Sequence, residues 1–102
     1  MTTYVIGHKK PDLDAVVSAM AVAEFRKLRS DVNPTAVIAD PINPETDFVF
    51  KKFNASPPKL ITAADIIPED RIVLVDHNEA DQRLDNLPQD QIVTIVDHHK
   101  FN

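Results

Sequence analysis

The chain has no cysteine. Disulfides, thiolate zinc sites and thiol nucleophiles are therefore excluded, and the composition predicts a cytoplasmic protein. Basic runs are missing too. Lys9-Lys10 and Lys51-Lys52 are only pairs, and the net charge is −5. A partner nucleic acid held by bulk electrostatics is not expected. Long apolar runs are absent: Ala19 to Ala23 is far too short to cross a bilayer. The start is not that of a signal peptide, since Thr2 and Thr3 lead straight into a strand-like run. Glycine occurs once, as Gly7. It marks either a tight turn or close ligand approach that a Cβ would block, or plain punctuation of a strand end.

What remains is an ordinary globular composition, sized for one small domain at 102 residues. Tyr4-Val5-Ile6 reads as a buried strand ended by Gly7. Leu13, Val16, Val17, Met20, Ala21, Phe25 and Leu28 then follow helical spacing, with an apolar surface broad enough to predict a mostly buried helix. Pro11 suits its start, and Asp12 and Asp14 suit the positive end of its dipole. Thr35 to Ala39 predicts a second strand. Asn43-Pro44 predicts a capped helix carrying Phe48, Val49 and Phe53, broken by Ser56-Pro57-Pro58. Leu60-Ile61 is a short extended piece. Arg71 to Val75 and Gln91 to Val96 are continuous apolar strands, which implies a parallel sheet covered on both faces. The expected fold is α/β, a three-layer arrangement on a mainly parallel sheet of about four strands.

Three clusters of Asp and His each follow one of these strands. They are Gly7-His8-Lys9-Lys10-Pro11-Asp12-Leu13-Asp14, Val75-Asp76-His77-Asn78-Glu79, and Val96-Asp97-His98-His99. Carboxyl ends of parallel strands share one edge, where ligands bind in open α/β sheets. Imidazole and carboxylate together suit Mn²⁺, Mg²⁺, Co²⁺ or Zn²⁺. Taken singly, each cluster has a plain alternative. Asp12 and Asp14 are also ordinary first-turn residues, Glu79 an ordinary surface residue, and Lys100 an ordinary solvated charge. His77 is open to three roles: ligand, orienter of a ligand, or loop histidine. His98 and His99 point in different directions on an extended backbone, which suits one to a metal and the other to an anion. The joint occurrence carries the signal, since all four histidines lie in these clusters.

The runs G-H-K-x-P-D-x-D, V-D-H-N-E and V-D-H-H-K resemble the motifs of the DHH phosphoesterase superfamily. V-D-H-N-E is similar to the manganese-dependent, family II inorganic pyrophosphatase branch rather than the exonuclease or phosphodiesterase branches. The resemblance implies a doubly wound sheet of order 2-1-3-4. It also implies hydrolysis of pyrophosphate to two orthophosphates at two Mn²⁺ ions, with Co²⁺ or Mg²⁺ as substitutes. His8, Asp12 and Asp76 would hold one ion; Asp14, Asp76 and His98 the other. His99 would meet a substrate phosphate, with Asp97 supporting the histidines and Lys100 nearby. Lys10, Leu13 and Ala15 depart from the usual Asn, Thr and Ser, and none is a ligand. The family's fourth ligand motif and its cationic C-terminal domain have no counterpart in 1–102. The expectation is therefore an N-terminal portion, whose longer form has possible homodimer contacts. The alternatives are a phosphodiesterase acting on oligonucleotides, or a metal- and phosphate-binding piece without full activity.

Overall fold

The computed structural model describes residues 1–29, 33–76 and 82–96. Five strands, β1 (Thr3–Ile6), β2 (Pro34–Ile38), β3 (Lys59–Leu60), β4 (Arg71–Val75) and β5 (Ile92–Val96), form one sheet. Every neighbouring pair is parallel, in the spatial order β3-β2-β1-β4-β5. The expected order of four strands sits inside this sheet. The short piece at Leu60 adds a fifth strand, along the edge of β2.

The order has a physical consequence. The chain first builds outward from β1 to β2 and β3, then returns to the other side of β1 to lay down β4 and β5. The reversal falls between β1 and β4, so connections leave the carboxyl edge there in opposite directions and open a crevice. The register pairs Ile6 with Leu74. Gly7-His8 and Val75-Asp76 therefore leave the sheet side by side.

Alternation along the strands splits the core. Val5, Val73 and Val75 pack against Ala19 and Ala23 of α1 (Leu13–Leu28). Ile6, Val37, Ile72 and Leu74 face the opposite way, against Ile61 and Leu84, with Tyr4, Ile66 and Leu87 at the margin. Among the described residues, that second face is covered by loops and short 3-10 turns, not an α-helix. The helix α2 (Pro44–Lys52) lies on the α1 side, where Phe50 joins Val16 and Ile38. Its start follows the sequence closely: Asn43 caps it, accepting the Thr46 N–H at 2.8 Å, and Pro44 opens it.

Three expectations are corrected. The α1 helix is not mostly buried: Val17, Phe25 and Leu28 are exposed, and the buried stripe is Ala15, Val16, Ala19 and Ala23. Small residues let the helix lie close on the sheet, which leaves the larger ones outside the contact. In α2 the anchoring aromatic is Phe50, while Phe48 and Phe53 are exposed. In β5, Val93, Ile95 and Val96 are each at least 43% exposed although Thr94 is the only polar residue of the strand. β5 is the last strand of the described sheet, so it has one neighbour where β4 has two.

Candidate metal centre

His8 follows β1 in a loop that runs into α1. Asp76 follows β4, with its backbone N–H bonded to the Val96 carbonyl at 2.9 Å. Asp12 is the N-cap of α1, and its Oδ1 accepts the Ala15 N–H at 2.9 Å. All three meet in the crevice between β1 and β4. His8 Nε2 lies 3.4 Å from Asp76 Oδ2 and 3.9 Å from Asp12 Oδ1. One ligand atom from each residue falls within 4.8 Å of the other two.

The burial of these groups is graded. Asp76 is 3% exposed. His8 is partly buried, and the Asp12 side chain opens to solvent. Asp76 also adopts φ 61°. This left-handed conformation is uncommon without glycine, although Asp tolerates it better than most residues. Such strain collects at functional sites, held there by the surrounding structure.

The imidazole is oriented by the backbone. His8 Nδ1 lies 2.7 Å from the Lys9 carbonyl oxygen. A carbonyl can only accept, so in the neutral ring Nδ1 carries the proton and Nε2 keeps its lone pair. That lone pair is on the nitrogen facing the two carboxylates. One imidazole nitrogen and two carboxylates, without thiolate, form a donor set that fits Mn²⁺ and the harder divalent ions.

Asp14 sits in the first turn of α1, outside this group. With Asp12, Leu13, Val17 and Glu45 it lines an open groove of about 460 Å³. His77, Asn78, Glu79, Asp97, His98, His99 and Lys100 lie outside the described residues. Gly7 answers its own question. A Cβ there would come within 3.1 Å of Ala15 Cβ, and its φ is not positive. The close approach that requires glycine is therefore to the first turn of α1.

Sequence reasoning missed Asp40. It follows β2 at the same edge of the sheet, and its Oδ2 accepts the Lys10 N–H at 2.6 Å. The signal was present: a carboxylate directly after an apolar strand, as at Asp76.

Three candidate donors at the point where the strand order reverses fit a metal-binding α/β domain, and similarity makes the class specific. The chain belongs to the DHH family: the family model described as the DHH family, N-terminal domain, matches residues 2–102. Within that family, several of its relatives are named for one activity. A Methanocaldococcus jannaschii manganese-dependent inorganic pyrophosphatase is 44% identical over 97 residues, covering 95% of this chain and 29% of the relative. A Staphylococcus carnosus protein named a probable manganese-dependent inorganic pyrophosphatase is 41% identical over 100 residues, covering 98% and 32%. The crystal structure of a Methanococcus jannaschii protein assigned to the family II inorganic pyrophosphatases superposes with a TM-score of 0.80 at 39% identity. That match covers 99% of this chain and 30% of the other. The chain thus spans about a third of the length of these relatives.

Proposed function

We propose that this chain is the N-terminal portion of a DHH-family enzyme that hydrolyses inorganic pyrophosphate to two orthophosphates with Mn²⁺. The observation that carries the proposal is the convergence of His8 Nε2, Asp12 and Asp76 within 4.8 Å at the switch point. It occurs in a chain similar over nearly its whole length to manganese-dependent inorganic pyrophosphatases. No helix among the described residues is long and apolar enough to cross a membrane.

In this reading His8, Asp12 and Asp76 would hold one Mn²⁺. By the family resemblance, Asp14 and His98 would serve with Asp76 as ligands of a second. The bound ions supply Lewis acidity, lower the pKa of water and neutralise charge on phosphoryl oxygens. The chain's own residues do the rest. His8 offers a fixed lone pair because Lys9 holds its other nitrogen. Asp12 is held by the helix it caps. Asp76 brings a negative charge to the floor of the crevice, where burial strengthens its attraction for a cation. By the family resemblance, and outside the described residues, His99 would meet a substrate phosphate, Asp97 would support the histidines and Lys100 would add a positive charge. By the family resemblance, a cationic clamp on pyrophosphate would be supplied from outside residues 1–102, as would part of the contacts of a homodimer.

The test is phosphate release from pyrophosphate with Mn²⁺ by the natural protein that carries this chain. Turnover abolished in Asp76→Asn is the expected result. A protein inert toward pyrophosphate that cleaves short oligonucleotides would move the assignment to the exonuclease branch.

A further inference from the structure

The loop that carries His8 and Asp12 is held from two sides. On one, the Lys9 N–H donates to the Gln82 carbonyl at 2.7 Å. On the other, the Lys10 N–H donates to Asp40 Oδ2 at 2.6 Å, across 30 residues of sequence. The second contact is a short hydrogen bond to a carboxylate, stronger than the neutral bond to Gln82. It acts on a strained point, because Lys10 has φ 50°. A lysine leaves that region readily unless something holds it there. Asn tolerates the left-handed region better than Lys does.

We propose that Asp40 is a positioning residue of the metal centre: it fixes the backbone turn at Lys10 and so sets the separation and aim of His8 and Asp12. Asp40 lies outside the group of converging donors. It acts on the loop two residues after His8 and two before Asp12. The Lys9 carbonyl that orients the His8 ring belongs to the same peptide unit as the Lys10 N–H. Asp40 therefore holds one end of the very amide whose other end holds the imidazole. Release of the N–H lets that amide rotate, and the carbonyl that selects the Nδ1 proton rotates with it. The inference rests on the metal-site reading, but the positioning can be measured without metal.

The test compares Asp40→Ala with Asp40→Asn. Both remove the charge; only the alanine removes the acceptor oxygen, so their difference isolates the hydrogen bond from long-range electrostatics. In metal-free protein, Asp40→Ala should speed hydrogen exchange at the Lys10 amide and move the His8 ring nitrogen resonances, whereas Asp40→Asn should move them little. With Mn²⁺, Asp40→Ala should weaken binding by roughly 10-fold or more, in the range for groups that orient a ligand, and Asp40→Asn should recover most of it. Lys10→Asn in the Asp40→Ala background should restore part of the affinity by easing the backbone. Unmoved His8 resonances, or equal Mn²⁺ affinity in Asp40→Ala and wild type, overturns the proposal. Failure of the wild-type chain to bind Mn²⁺ overturns the metal-site reading instead, and the metal-free resonances still decide whether Asp40 holds the loop.

Discussion

Strand β4 is bracketed by two buried aspartates, Asp70 before Arg71 and Asp76 after Val75, and they have opposite fates. Their burial is nearly the same, at 5% and 3% exposure. Asp70 is at the amino edge of the sheet. Its Oδ1 accepts the Thr2 N–H at 2.9 Å and its Oδ2 the Ile67 N–H at 3.0 Å. Each oxygen thus ties down a backbone group, and the carboxylate staples the chain start to the β4 entry. Asp76 is at the carboxyl edge. It faces an imidazole nitrogen and a second carboxylate, on a backbone with positive φ. Burial does not distinguish a structural carboxylate from a candidate ligand. The distinction lies in what surrounds it: backbone donors complete Asp70, whereas Asp76 is set among groups that a cation would join.

The largest effect expected from breaking this contrast is at Asp76. Asp76→Asn removes charge from the buried floor of the crevice. Mn²⁺ affinity should fall by more than the roughly 10–100-fold lost when an outer-shell partner is removed. Titration calorimetry with Mn²⁺ reads this, and stability of the metal-free chain should hold or rise as like charge near Asp12 is relieved. Asp70→Ala should do the reverse. It strands the Thr2 and Ile67 amides, at a cost of about 2–4 kcal/mol in urea unfolding, while Mn²⁺ affinity stays within about twofold, since its edge of the sheet is remote from the site.

Gly7→Ala joins the two kinds of effect. The new Cβ would press on Ala15 Cβ from 3.1 Å, and overpacking of this kind costs about 1–3 kcal/mol. Because Ala15 donates to the Asp12 cap, the shift should reach the metal centre as a few-fold loss of Mn²⁺ affinity, read in the same titration.

The smallest effect is at the amino edge. Burial first, then the charges of Asp70 and Asp65, raise the pKa of Tyr4 above its usual value. A raised folded-state pKa gives stability that is complete below the unfolded value of about 10 and is lost as pH rises through the folded value. Unfolding midpoints should therefore fall slightly at strongly alkaline pH, and Tyr4→Phe should flatten that limb. Tyr4 is the sole tyrosine and there is no tryptophan, so tyrosinate absorbance follows the group directly.

The strands and the site edge were legible in the sequence for a physical reason. Buried parallel strands are apolar on both faces, and β4 shows this from Ile72 to Val75. The aspartates and histidines stand out because they come directly after such runs. The helix faces were less legible. Periodicity gave α1 its length but not its buried stripe, because the sheet selects alanines for close approach and leaves Phe25 and Leu28 outside. In α2 one aromatic of three anchors, and spacing alone did not say that it is Phe50. Asp40 escaped because its role is a hydrogen bond to a backbone amide 30 residues away. Nothing local announces such a partner, although its strand-end position matches that of Asp76.

The most direct test of the central claim is the melting temperature of this chain with and without Mn²⁺, in wild type and Asp76→Asn. A cation bound only by the native state at 100 times its Kd adds about 2.7 kcal/mol of stability. The account predicts a clear rise for wild type that is lost in Asp76→Asn and retained when Asp70 is replaced by Asn. A wild-type chain whose melting Mn²⁺ leaves unmoved, or an equal rise in Asp76→Asn, would contradict it.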